Sequence, residues 1–102
     1  MHLIQTFLPT RAPDGTHYDA RLWTNVRAEL VEAFGGVTVF AQSPAEGLWK
    51  DPTGEVEADR LIVLEVQDPN FDRAWWSRFR TGLEARFKQE KVLMRAIVIE
   101  SI

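Results

Sequence analysis

Apolar and polar positions change their spacing several times along the chain, and each change marks a predicted element. The densest aliphatic run is residues 60–68, which is bounded by turn residues and predicts an interior strand. Shorter apolar runs at residues 2–8, 37–42 and 92–99 predict three further strands. Pro9 ends the first of them, because proline cannot donate a ladder hydrogen bond.

A first helix is predicted after the loop at residues 10–18, with Asp19 or Thr16 as its N-cap. Its apolar residues recur every fourth position and form one stripe. The stripe consists of Leu22, Val26, Leu30 and Phe34, with Trp23 and Ala33 beside it. Gly35 and Gly36 follow and predict a helix end in the left-handed region, which glycine adopts at little cost.

A second helix is predicted over about residues 70–89 and is also amphipathic. Its apolar stripe consists of Phe71, Trp75, Phe79, Leu83 and Phe87. Adjacent residues on a helix point in different directions, so Trp75 and Trp76 cannot both point inward. We therefore expect Trp76 at a helix edge or at a seam between subunits.

The segment between the second strand and the central strand predicts a bend at residues 43–47 and an extra β-hairpin at residues 47–58. The hairpin turn is Asp-Pro-Thr-Gly at residues 51–54, whose proline and glycine positions fit a type I turn. Trp49 lies on this hairpin and is a candidate for contacting a ligand or a partner.

The order of these elements predicts one α+β domain over residues 1–102. Two right-handed βαβ crossovers produce the ferredoxin-like βαββαβ arrangement, a four-stranded antiparallel sheet in spatial order 4-1-3-2 with both helices on one face. A chain of 102 residues has room for one such domain.

Both faces of the predicted sheet are largely apolar. In the central strand Ile62 and Leu64 lie on one face while Leu61 and Val63 lie on the other. An uncovered sheet face should carry polar residues, so we expect the second face to be covered. A symmetric homodimer that stacks two sheets, as in a dimeric α+β barrel, is the simplest cover. The alternative is that residues 43–59 fold back over their own sheet.

Gln5, Glu65 and Arg95 are predicted on this second face, with Gln5 between the two charges. Polar groups in apolar surroundings must satisfy one another. One interpretation is a Glu65–Arg95 salt bridge that fixes the register of a dimer. A second is the polar end of a ligand pocket, where Glu65 accepts a proton and Arg95 holds a carboxylate or enolate oxygen. A third is that the strand register differs and these groups do not meet.

The loop after the first strand carries the remaining candidates. His17 could act as a base that Asp14 or Asp19 orients, although a histidine in a loop is more often a solvated side chain. The neighbouring Tyr18 is a candidate ligand contact. The same loop could ligate a metal, but it lacks a second histidine, so neither a metal nor a cofactor is predicted.

Composition narrows the function classes. The chain has 12 basic and 15 acidic residues and a net charge of -3, which provides no reason to expect nucleic acid or an anionic membrane as a partner. It has no cysteine, which excludes thiol nucleophiles, disulfides and thiolate metal sites.

The opening residues do not resemble a signal peptide, and no run approaches the roughly 18 apolar residues of a membrane helix. A cytoplasmic protein is therefore expected.

Three short stretches together resemble a bacterial family of small domains of unknown function. They are Phe34-Gly35-Gly36-Val37-Thr38, then Gly47-Leu48-Trp49 with Asp51 and Gly54-Glu55 following, and Phe87-Lys88-Gln89-Glu90-Lys91-Val92-Leu93. The resemblance implies the same small α+β fold. It implies no agreed activity, so it assigns no catalytic residue.

The sequence thus predicts a small homodimeric module that binds a small molecule or another protein, with undetermined activity. The alternative is a cofactor-free isomerase, decarboxylase or monooxygenase of the dimeric α+β barrel type, in which Glu65 or His17 is the base and Arg95 clamps an anion. Nucleic-acid binding needs exposed aromatic residues on central strands together with basic charge, and Phe7 alone does not meet that need.

Overall fold

Four antiparallel strands and two helices make up the computed structural model, which describes the backbone of residues 1–50 and 56–102 and the side chains of residues 1–40 and 61–102. The elements are, in chain order, β1 (His2–Pro9), α1 (Ala20–Phe34), β2 (Thr38–Lys50), β3 (Val56–Asp68), α2 (Arg73–Arg86) and β4 (Leu93–Val98). The sheet order is β2-β3-β1-β4, which is the predicted order 4-1-3-2 counted from the other edge. The ferredoxin-like α+β fold is confirmed.

One face of the sheet and both helices enclose the core. Alternate residues of β1 and β3, such as Ile4, Leu8 and Leu64, are buried in one cluster with residues of the helices. The helix and loop members of that cluster are Val26, Leu30, Trp76, Phe79, Leu83, Phe87 and Val92. Both helices therefore pack on the same face of the sheet.

The start, the end and most of the apolar stripe of α1 follow the sequence prediction. Asp19 is the N-cap, and its Oδ1 accepts a hydrogen bond of 2.9 Å from the Arg21 amide. Gly35 ends the helix with φ at 82°, and its amide donates to the Val31 carbonyl at 2.8 Å. Ala33 was expected beside the stripe, but it is exposed.

The second helix buries Trp76 and leaves Trp75 half-buried, so the expectation for this pair is wrong. The reason is a polar partner inside the core, since the indole Nε1 of Trp76 donates to Asp68 Oδ2 at 2.8 Å. Trp75 instead packs along the edge, stacked on Phe79 and edge-on to Phe34. The helix is also shorter than predicted and is capped by Asp72.

β2 and β3 pair along a greater length than predicted. Pairing runs from Thr38↔Glu65 to Phe40↔Val63, shifts register, and resumes from Ala45↔Leu61 to Lys50↔Val56. The predicted bend at 43–47 is thus an irregularity within a continuous strand, and the predicted hairpin at 47–58 is the outer part of β2 and β3. Its turn at 51–54 and the side chain of Trp49 lie outside the described residues.

Candidate functional site

The face of the sheet opposite the helices, called here the open face, carries three rows of residues that cross the strands. The rows are Phe40–Val63–Phe7–Leu93, Thr38–Glu65–Gln5–Arg95 and Gln67–Leu3–Ile97. The polar middle row lies between two rows that are mostly apolar.

Large apolar side chains on the open face remain in contact with solvent. Phe40, Leu93 and Ile97 are 43%, 44% and 41% exposed. Phe40 lies on the edge strand β2, and Leu93 and Ile97 lie on the other edge strand, β4. The exposed apolar side chains are therefore found at both sides of the sheet. Several large apolar side chains exposed on one sheet face often mark a site of contact with a partner or a ligand.

The polar row has the predicted order, but its charges do not pair directly. Gln5 Nε2 donates to Glu65 Oε2 at 2.9 Å. The Arg95 guanidinium lies 5.1 Å from the centre of the Phe7 ring. Strands in a sheet are about 4.8 Å apart, so β1 separates the backbones of Glu65 and Arg95 by roughly 10 Å. Among the side chains that the structure describes, no ion pair joins Glu65 to Arg95 within one copy.

The structure does not assemble a base or a metal site around His17. Asp14 accepts hydrogen bonds from the Thr16 amide and hydroxyl, and the hydroxyl contact in particular lowers the pKa of Asp14. The bond from Arg21 likewise lowers the pKa of Asp19. Both carboxylates are therefore engaged elsewhere. His17 is exposed, and its backbone forms an isolated antiparallel β-bridge with Arg11. No cluster of residues suited to a metal ion occurs in the described part of the chain.

Tyr18 lies on the helix side of the sheet, away from the polar row. Its hydroxyl donates to the Phe87 carbonyl at 2.7 Å and accepts from Gln89 Nε2 at 3.2 Å. Its ring packs edge-on against Trp23 and Phe87. Burial raises the pKa of the hydroxyl. These contacts link the loop before α1 to the segment after α2, which is a structural role.

Sequence reasoning did not anticipate a groove between α2 and the edge strand β4, called here the arginine groove. It has a volume of about 90 Å³, and its lining includes Arg73, Trp76, Ser77 and Arg80 of α2 and Met94 of β4. The α2 residues are spaced i, i+3, i+4 and i+7, which places them on one stripe of the helix. That spacing was visible in the sequence, but the position of β4 beside this stripe was not.

A larger cavity of about 270 Å³ lies between α1 and the strands β2 and β3. Its lining includes Trp23, Thr24, Arg27, Val39 and Ile62. Among the residues whose side chains are described, its lining contains none of the candidates predicted from the sequence.

Comparison with known proteins gives structural but no sequence relatives. No family model and no curated protein matches the chain. The structure of the periplasmic divalent cation tolerance protein CutA from Archaeoglobus fulgidus matches with a TM-score of 0.64 and 18% identity, covering 100% of this chain and 87% of that chain. CutA1 from Oryza sativa matches with a TM-score of 0.64 and 10% identity, covering 99% and 81%.

The fold is shared with these proteins. A phage SAM lyase in complex with S-methyl-5′-thioadenosine also matches, with a TM-score of 0.60 and 12% identity, covering 93% of this chain and 78% of that chain. Identities this low support a common ferredoxin-like fold and nothing more specific.

Membership of a bacterial family of unknown function and a cytoplasmic location stay predictions. None of the described helices is long and apolar enough to cross a membrane.

Proposed function

We propose that the protein is a homodimeric small-molecule-binding or interaction module in which two copies cover each other's open face. The observation that carries this proposal is the exposure of Phe40, Leu93 and Ile97 across the sheet. Removing apolar surface from water contributes about 25 cal/mol per Å², so covering this face would stabilise the assembly. The second copy offers the same surface, and two-fold dimers are the commonest oligomers.

The polar row supports self-association through its charges. A two-fold axis running along β1, in the plane between two stacked sheets, exchanges the positions of β3 and β4. Glu65 of one copy would then lie opposite the partner's Arg95, and Phe7 opposite the partner's Phe7. Each Glu65 and Arg95, which do not pair within one copy, would acquire a partner of opposite charge.

A binding site would lie where these polar residues meet between the two sheets. Arg95 would hold an anionic group of the ligand in place of the partner's Glu65, because a guanidinium matches the geometry of a carboxylate or phosphate. The Gln5–Glu65 pair would bind a neighbouring donor of the ligand. Trp49 of the β2–β3 hairpin stays a candidate contact in this proposal.

Size-exclusion chromatography with light scattering tests the dimer. We expect twice the chain mass of 11.7 kDa for the wild type and the single chain mass for Leu93→Glu. Val31→Glu is the matched control, because Val31 is 47% exposed but lies on α1, away from the open face. It should remain dimeric.

Two results would contradict the proposal. A monomeric wild type would show that the open face tolerates water, and a dimer that survives Leu93→Glu would place the interface elsewhere. Circular dichroism of each variant shows whether Leu93→Glu has kept its fold, so that loss of the dimer is not mistaken for unfolding.

A second candidate function is an enzyme, and the similarity to the phage SAM lyase favours it. In that case Glu65 would be the base, since its carboxylate is half-buried and lies on the open face beside the proposed ligand position. Incubating the protein with S-adenosylmethionine should then release S-methyl-5′-thioadenosine, and Glu65→Gln should abolish the release. Absence of product with the wild type would contradict this activity.

A further inference from the structure

The arginine groove brings two guanidinium groups to one small cavity. Arg73 and Arg80 are seven residues apart on α2, with Ser77 between them, and all three line the space beside β4. Arg73 lies over the Phe71 ring, 5.5 Å from its centre, which restrains that side chain. Trp76 is buried and closes the inner wall.

No carboxylate lines this groove among the described residues, and the nearby ones are engaged. Asp72 accepts from the Ala74 and Trp75 amides as the cap of α2. Glu84 Oε2 accepts from the Val92 amide at 2.8 Å and forms an i,i+4 ion pair with Arg80, at 3.9 Å from Nε, which is too far for a hydrogen bond. This pair offsets part of the charge of Arg80 from outside the groove, and no carboxylate of the described residues forms an ion pair with Arg73.

Arg80 Nε is buried and has no hydrogen-bond acceptor among the residues that the structure describes. Buried donors in native proteins almost always have a partner, because a donor that has lost its hydrogen bonds to water without gaining an acceptor destabilises the fold. A small turn of the Arg80 side chain toward the groove would bring this donor to an acceptor atom there. The Arg80 side chain would therefore gain a hydrogen bond on binding an oxyanion.

We propose that the arginine groove binds an oxyanion, the phosphate or carboxylate group of a small molecule, through Arg73, Ser77 and Arg80. Planar guanidinium groups donate to such oxygens in pairs. A volume of about 90 Å³ is small beside the roughly 300–1,000 Å³ of pockets that enclose whole ligands. The groove therefore takes the charged group and leaves the rest of the molecule outside. It lies on the helix side of the sheet, and Arg95 also lines it, although the guanidinium of Arg95 lies over Phe7 on the open face.

Nuclear magnetic resonance of the arginine side chains tests this proposal directly. Inorganic phosphate or succinate is titrated into the ¹⁵N-labelled protein, with chloride keeping the ionic strength constant. We expect the Nε–Hε signal of Arg80, assigned by its loss in Arg80→Gln, to shift and saturate at millimolar oxyanion. Preference for phosphate or for succinate identifies which oxyanion chemistry the groove suits.

Affinity of the variants provides the second readout. Arg80→Gln and Arg73→Gln should each weaken binding about tenfold or more, because a charge-assisted hydrogen bond is lost. Arg78→Gln is the matched control: Arg78 is an exposed arginine of the same helix that does not line the groove. It should bind as the wild type does.

The proposal is overturned if neither oxyanion produces a saturable shift, or if Arg78→Gln weakens binding as much as Arg80→Gln, which would indicate attraction to net charge alone. The oxyanion-binding test and the dimer test can succeed or fail independently. Leu93→Glu should bind oxyanions normally even as a monomer, because Leu93 points to the open face.

Discussion

A single buried hydrogen bond decides which of two adjacent tryptophans enters the core. Trp76 Nε1 donates to Asp68, whose other oxygen accepts from the Asn70 amide. Burial of an indole is favourable when its N–H has an acceptor, and Asp68 at the end of β3 supplies one. Trp75 has a comparable apolar surface, but the structure gives it an edge position against Phe34 and Phe79.

At the same scale, the Tyr18 hydroxyl should stabilise the fold in a pH-dependent way. Tyr18→Phe removes the bonds to the Phe87 carbonyl and Gln89, and we expect it to lower the free energy of unfolding by about 1 kcal/mol at neutral pH. Burial raises the folded-state pKa of Tyr18 above its ordinary value of 10.0. The contribution is therefore complete below pH 10.0 and is lost as the pH rises through the folded-state pKa.

Urea unfolding of the wild type and Tyr18→Phe across alkaline pH measures this effect. The difference in unfolding free energy between the two proteins should shrink above the ordinary tyrosine pKa. A difference that stays constant with pH would show that the pKa of Tyr18 is the same in the folded and unfolded states.

At the scale of elements, local sequence explains the helix ends better than the strand ends. Asp19 and Gly35 bound α1 through their own backbone and side-chain chemistry. The length of β2 depends on β3, because pairing with Val56 to Leu61 extends the strand past the irregularity that follows Phe40. No property of residues 43–47 taken alone indicates that pairing.

Two adjacent glycines allow a matched test of the α1 end. Gly35 has φ at 82°, and no atom lies within 4 Å of where a Cβ would be, so Gly35→Ala incurs backbone strain without a clash. We expect a loss of about 1–2 kcal/mol in unfolding free energy. Gly36→Ala also meets open space, and its backbone is outside the left-handed region, so its effect should be near zero.

Urea denaturation of both variants checks the comparison. Equal losses from the two substitutions would contradict the explanation, because only Gly35 occupies the strained conformation.

At the scale of the whole molecule, the accessible surface of the chain is larger than that of a compact monomer of the same mass. Its accessible surface is 7,088 Å², while a compact monomer of 11.7 kDa should expose ~5,900 Å². The bare open face and the long β2–β3 ribbon, which extends past the last β1 pairing at Leu61, are consistent with this excess. The excess surface supports the proposal that a second copy covers the open face.

Exchanging the charges of the polar row tests the proposed pairing between copies. Glu65→Arg and Arg95→Glu should each weaken the dimer at least tenfold, because like charges would face one another across the interface. The double variant should recover a large part of the loss. Glu32→Arg, on the exposed side of α1, changes the net charge by the same amount as Glu65→Arg and should have little effect.

The dimer dissociation constants come from sedimentation of each variant over a range of concentrations. Losses in the two single variants that simply add in the double variant would mean that these charges do not meet, and the axis along β1 would be wrong.

The sequence by itself determined the order of elements, the two ends of α1, the strand order and the row containing Gln5, Glu65 and Arg95. These features follow from local turn and cap chemistry and from strands whose alternate residues point to opposite faces. Tertiary structure alone decided that Trp76 is buried, that Gln5 bonds to Glu65 while Arg95 lies over Phe7, and that Arg73 and Arg80 line a groove beside β4. These features depend on distances between residues far apart in the chain, and sequence periodicity records the direction of a side chain but not what lies opposite it.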